Sequence, residues 1–270
     1  MKLSNCSIYL FVILLVNLFQ SGRCDQCSSD DGKIHQDLHN ATFEILLSRL
    51  PPLCADLFFN KDNIRSKYIS SKGLSGRALP AGTFTTKALA VDFLYGVLCP
   101  VGFQSVELVR LICDQKSFIT QSEFIYTLTD GRRITSSATM AFDKDYKLCA
   151  YDSQIRNNGL TLDTQSVESH QAAINVICTL ADKYCNDKSK QYDNIKACKQ
   201  YLTTEVPFGS FDRADQSNVV CRLMHSMLIP INPTRYCPRV GPSGGDVCTN
   251  KTIDCYYNQP DCLACAHKYK

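Results

Sequence analysis

Sixteen cysteines in a chain of 270 residues constrain this fold more than any other feature, and residues 1–24 decide how those cysteines are read. Lys2 is followed at 8–19 by an almost unbroken apolar run, IYLFVILLVNLF, and then by Ser21, Gly22, Arg23 and Cys24. That is the layout of a secretory leader with a small-residue cleavage site. The run is 12 residues long, whereas a bilayer span needs roughly 20. Cutting after Cys24 removes Cys6 and Cys24. It leaves an even set: Cys27, Cys54, Cys99, Cys113, Cys149, Cys178, Cys185, Cys198, Cys221, Cys237, Cys248, Cys255, Cys262 and Cys265. In an oxidising compartment such a set reads as a disulfide framework whose connectivity is open. The expected destination is extracellular.

Charge excludes some partners. The formal net charge of +3 falls by the two charges of Lys2 and Arg23 when the leader is removed. A near-neutral chain has no field with which to hold a nucleic acid or an anionic membrane. Neither a nucleic-acid partner nor a membrane span is expected. Asn40 and Asn250 stand in glycosylation sequons, while the sequon at Asn232 is blocked by Pro233.

Composition splits the mature chain at the turn signal Asn157, Asn158, Gly159. The expected units are 1–24 as leader, 25–158 as an α+β domain and 159–270 as a helical cysteine-rich domain. In the first, Ile34, Leu38, Ala41, Ile45 and Leu46 recur at helical spacing until Pro51 and Pro52. A second helix covers 54–59 and continues toward Tyr68, and a third fits 87–98. The Gly/Ser-rich stretch 70–85 reads as loop. Strands follow at 105–113, 118–129, 133–143 and 146–155, with Asp130 and Gly131 as a two-residue hairpin signal. Beyond the break, helices are expected at 167–185, 192–202 and 218–228. Pro230 and Pro233 end the last, and irregular chain follows.

Three segments carry a resemblance: 91–95 (VDFLY), 130–134 (DGRRI) and 140–148 (MAFDKDYKL). With this order of elements, residues 33–156 resemble the nuclear transport factor 2-like superfamily, in its polyketide cyclase and ketosteroid isomerase-like branch. The resemblance implies three helices packed on a curved, cone-like antiparallel sheet, followed here by the helical disulfide-bonded region. It also implies an apolar pocket inside the cone, used by some members for proton transfer or dehydration and by others only for binding. Residues 159–270 carry no such resemblance.

The isomerase-like branch needs an acidic general base and a donor for a developing oxyanion. Acids on suitable elements are Asp92, Glu107, Glu123 and Asp152, and donors are Tyr95, Arg110, Tyr126 and Tyr151. No catalytic motif aligns with them. Tyr95, Arg110, Tyr126 and Asp152 are the candidate ligand-binding residues. Cys262, Cys265 and His267, with Cys255, have zinc-like spacing, and His225 lies one helical turn from Cys221. Behind a leader these cysteines are expected oxidised, so no metal and no cofactor are assigned. The preferred reading is a secreted, disulfide-stabilised protein that binds a small apolar ligand without catalysis. One alternative is a secreted isomerase, cyclase or dehydratase acting in the cone. Another is a docking module for a protein partner in the cysteine-rich half.

Overall fold

The computed structural model describes residues 31–59 and 65–252. The expected leader, Cys27, Cys255, Cys262, Cys265 and His267 lie outside the described residues.

The chain opens with α1 (Asp31–Leu47), α2 (Leu53–Phe59) and the single turn α3 (Arg65–Tyr68). Leu38, Thr42, Ile45 and Leu46 form the buried stripe of α1. That stripe lies on the sheet, where the Thr42 and Thr120 hydroxyls meet at 2.9 Å. Two short strands come next, β1 (Ser75–Leu79) and β2 (Gly82–Phe84). This corrects the expectation of loop at 70–85. The glycine that reads as a loop signal is a packing requirement: a Cβ on Gly76 would fall 2.2 Å from the ring of Tyr151, its cross-strand partner. Helix α4 (Lys87–Val91), capped by the Thr86 hydroxyl, runs into a π-helical turn at Asp92–Val97.

The four long strands are β3 (Phe103–Asp114), β4 (Ile119–Leu128), β5 (Arg133–Phe142) and β6 (Leu148–Arg156). Gly131, at φ 85°, supplies the left-handed residue of the expected β4–β5 hairpin. The sheet order is β2-β1-β6-β5-β4-β3. β1 runs parallel to β6 and all other neighbours are antiparallel, so the curved sheet is mixed where an antiparallel one was expected. Bulges interrupt β3 between Phe103 and Ser105 and between Leu108 and Arg110. Such bulges bend a strand and change which face its side chains meet. The fold is α+β.

After β6 come α5 (Asn158–Leu162), α6 (Val167–Tyr184), α7 (Ile195–Thr204), α8 (Val219–Ser226) and α9 (Pro233–Val240). Side chains of Ser166, Asn194, Asn218 and Asn232 cap the last four. Helix α9 corrects the expectation of irregular chain after Pro230. Pro233 stands at the first helical positions, where a missing N–H costs nothing, and the Asn232 side chain accepts from the Arg235 N–H at 3.2 Å.

Four disulfides join described residues: Cys54–Cys99 in the first half, and Cys178–Cys198, Cys185–Cys237 and Cys221–Cys248 in the second. Cys149 on β6 is also disulfide-bonded. Cys113, half-buried on β3, is not joined to another described cysteine. One apolar cluster runs from Leu38 across the sheet to Val240 and so crosses the break at 157–159. Among the described residues no helix is long and apolar enough to cross a membrane.

Candidate functional site

Strand alternation turns every second side chain to one face of the curved sheet. On β4 these are Phe124 and Tyr126, on β5 Ile134 and Ser136, and on β6 Ser153 and Ile155. Phe93 and Val97 enter from the π-helical turn and Phe103 from the start of β3. Together they bound a cavity of about 300 Å³. The roof comes from the second half: Leu162 of α5, Phe211, and Leu223, Met224 and Met227 in and just after α8. The walls are aromatic. Phe103 stacks on Tyr126 with centroids 4.3 Å apart, and Phe124 meets Tyr126 edge-on at 5.5 Å.

The polar groups in this wall are Arg49, Tyr126, Ser136, Ser153 and Asn158; among the described residues no carboxylate lines the cavity. Arg49 stands in the turn between α1 and α2, and that turn is pinned by two buried tyrosines. The Tyr126 hydroxyl donates to the Leu46 carbonyl at 3.0 Å. Ser48 Oγ donates to the Ile45 carbonyl at 2.7 Å, which leaves the Tyr95 hydroxyl as donor to Ser48 Oγ at 3.1 Å. Burial pushes the Tyr95 phenol up to about 12 and raises that of Tyr126, against the opposing pull of Arg49. Both hydroxyls therefore stay protonated donors at any physiological pH. Asn158 follows Asn157, a left-handed residue at φ 53°. Its helix is tied to the roof where Asp212 accepts from the Gly159 N–H and Asp163 from the Phe211 N–H, each at 2.8 Å.

Of the four expected ligand-binding residues, Tyr126 lines the cavity. Tyr95 is buried behind the wall and acts through Ser48. Arg110 and Asp152 lie on the outer face of the sheet, a correction with two causes. The bulge after Leu108 sets Arg110 opposite Glu123, and alternation on β6 turns Asp152 away from Ser153. Asp152 receives the Arg77 guanidinium, with Nε to Oδ1 at 2.9 Å. The other candidate acids are likewise engaged: Glu107 with Arg133 at 2.9 Å, Glu123 with Arg156 at 2.7 Å. Asp92 accepts the Tyr236 hydroxyl at 2.5 Å, with Arg235 at 3.6 Å. Tyr151 packs on Gly76. Asn40 and Asn250 are both exposed. Sequence reasoning missed Arg49 and Asn158. The available signal for Arg49 was a lone charge inside the apolar stretch 45–53.

A second cluster lies in the cysteine-rich half. Ligand atoms of Cys221, His225 and Cys248 fall within 4.8 Å of one another. The two sulfurs are joined to each other, and a disulfide sulfur is not the thiolate that metals bind. His225 is fully enclosed. Burial, reinforced by the nearby Arg239 guanidinium, lowers its pKa from 6.5 to about 3. The ring is therefore neutral, and its Nδ1 faces the Arg239 Nη1 donor at 3.5 Å.

Residues 139–251 match the family model described as the BfoA family C-terminal domain, a match that covers less than half of the chain. It takes in Asn158, the roof of the cavity and the three disulfides of the second half. The Bifonsecin B biosynthesis cluster protein A of Aspergillus brasiliensis is 31% identical over 148 residues, 47% of this chain and 50% of that protein. An Aurasperone B biosynthesis cluster protein A of Aspergillus niger is 30% identical over 148 residues, 47% of this chain and 48% of that protein. The chain thus spans about half the length of the curated relatives it matches. Solved structures with some likeness include an epoxide hydrolase/cyclase-like enzyme of salinomycin pyran ring formation. Its TM-score is 0.34 at 8% identity, over 46% of this chain and 93% of that one. A steroid delta-isomerase from Pseudomonas aeruginosa gives a TM-score of 0.31 at 14% identity, over 44% of this chain and 80% of that one. Likeness at this level does not bear on function.

Proposed function

We propose that this is a secreted, disulfide-stabilised protein that holds a small, largely apolar organic molecule in the cone without transforming it. The observation that carries this reading is an apolar cavity with no described carboxylate in its wall, while Glu107, Glu123 and Asp152 are engaged in ion pairs on the outer face. Acid–base catalysis needs a base within hydrogen-bond reach of the proton it takes. Concave, mostly apolar sites with a few placed polar groups are the usual form of a small-molecule site. The names of the relatives refer to biosynthesis clusters, which is compatible with a small-molecule occupant and equally with a cyclase or isomerase acting in the cavity. Secretion is supported by the leader pattern and by the disulfides of the second half.

The test is equilibrium binding of an apolar fluorescent probe to the secreted chain, with Ser136→Phe as a variant that fills the cavity from the sheet side. Saturable binding that weakens at least tenfold in the variant is the expected result. Binding that is indifferent to Ser136→Phe would place the ligand elsewhere, and turnover of a bound compound would make the protein an enzyme. Intact mass before and after reduction and alkylation tests secretion in parallel, with a mature start at Asp25 expected.

A further inference from the structure

We infer that the cavity selects aromatic ligands carrying an anionic oxygen and a separate hydroxyl, the first read by Arg49 and the second by Asn158. This rests on the ligand-binding reading above and names the class of occupant.

Arg49 is 7% exposed and Asn158 6%, and both line the cavity. Each keeps a buried polar atom without a hydrogen-bond partner: Arg49 Nε, a donor, and Asn158 Oδ1, an acceptor. Buried polar groups in native proteins are almost always paired, and one left unpaired is costly. Two orphans of opposite sense in one small apolar cavity point to a ligand that supplies an acceptor and a donor. Two of the neighbouring polar groups have partners. Tyr126 donates to the Leu46 carbonyl and Ser153 to the Arg77 carbonyl, the latter at 3.3 Å.

The acceptor is expected to carry charge. A guanidinium stays protonated in proteins, and no ion pair to Arg49 is present among the described residues. A cation in an apolar wall without a carboxylate partner favours an anion, and its planar fork suits a carboxylate or an enolate. The frame is set by the walls. Phe103, Phe124 and Tyr126 present ring faces and edges, which pair best with another aromatic system. Met224 and Met227 in the roof adapt to its outline. A volume of about 300 Å³ is at the small end of small-molecule sites and suits a flat ligand of two fused rings. Both polar residues are preorganised. The turn of Arg49 is held by Tyr95 and Tyr126, and that of Asn158 by Asp212.

The experiment is a fluorescence titration of the secreted chain with its disulfides intact. The absence of tryptophan keeps naphthalene emission clear of indole background. The probes are 6-hydroxy-2-naphthoate, 2-naphthoate, 2-naphthol and 2-methylnaphthalene. The hydroxy acid is expected to bind tightest, with loss of the carboxylate weakening it roughly tenfold to hundredfold, as for a hydrogen bond to a charged group. Arg49→Met is expected to equalise the hydroxy acid and the naphthol. Arg49→Lys should keep part of the preference, and Asn158→Leu should equalise the hydroxy acid and the naphthoate. If the wild type binds methylnaphthalene as tightly as the hydroxy acid, oxygen selection is wrong while the ligand-binding reading stands. If no probe binds, both fail. The wild-type series decides the question even where a variant does not fold.

Discussion

His225 is a proton-linked weak point in the second half. Its folded pKa of about 3 lies below the ordinary 6.5, because a charged imidazole would sit buried beside Arg239. Above pH 6.5 the ring is neutral in both states and the fold loses nothing. As the pH falls from 6.5 toward 3, the unfolded chain takes up a proton that the folded one refuses, and stability drops. The slope approaches about 1.4 kcal/mol per pH unit. Asp246, held below the usual carboxylate range by Arg239, adds to the loss only at the acid end, near and below its ordinary 3.8. Denaturant midpoints measured at pH 7 and pH 4.5 should therefore differ more in the wild type than in His225→Gln. Equal differences would mean that His225 is protonated in the fold.

At the scale of elements, crosslinks do for the second half what long apolar strands do for the first. Cys178–Cys198 ties α6 to α7, Cys185–Cys237 ties the end of α6 to α9, and Cys221–Cys248 ties α8 to the chain beyond α9. Removing Cys178 and Cys198 together should cost roughly 2–5 kcal/mol, read as a fall in melting temperature. A double alanine variant that melts like the wild type would show that helix packing alone holds this region. The same contrast explains what was legible in the sequence. β3 to β6 were legible because β-branched runs and the Asp130–Gly131 turn are local signals. β1 was not, because its partner β6 is remote in sequence and Gly76 is there for the ring of Tyr151. α9 was hidden by Pro233, which reads as a terminator but serves as a first helical residue. Tyr126 was legible as an aromatic on a strand. Arg49 and Asn158 were not, because a turn and the first residue of a five-residue helix carry no apolar periodicity and their cavity exists only once both halves meet.

For the whole molecule, the composition break at 157–159 and the apolar core disagree, and energetics favours the core. Gly96 of the π-helical turn lets the halves close: a Cβ there would fall 2.7 Å from Leu228 and 2.6 Å from Phe58. The Asp92–Tyr236 hydrogen bond spans the same junction. The cavity roof, from Leu162 to Met227, belongs to the second half while its walls belong to the first. Elements that share a buried core unfold together. Calorimetry of the intact chain is therefore expected to show one transition, and Leu228→Ala to lower it by about 2–5 kcal/mol of stability, the usual cost of a buried leucine truncated to alanine. The same variant should weaken ligand binding, because the buried Leu228 side chain supports its neighbour Met227, which lines the cavity. Two transitions, with Leu228→Ala shifting only one of them and leaving binding intact, would mean that the halves are independent units and that the cavity forms without its roof.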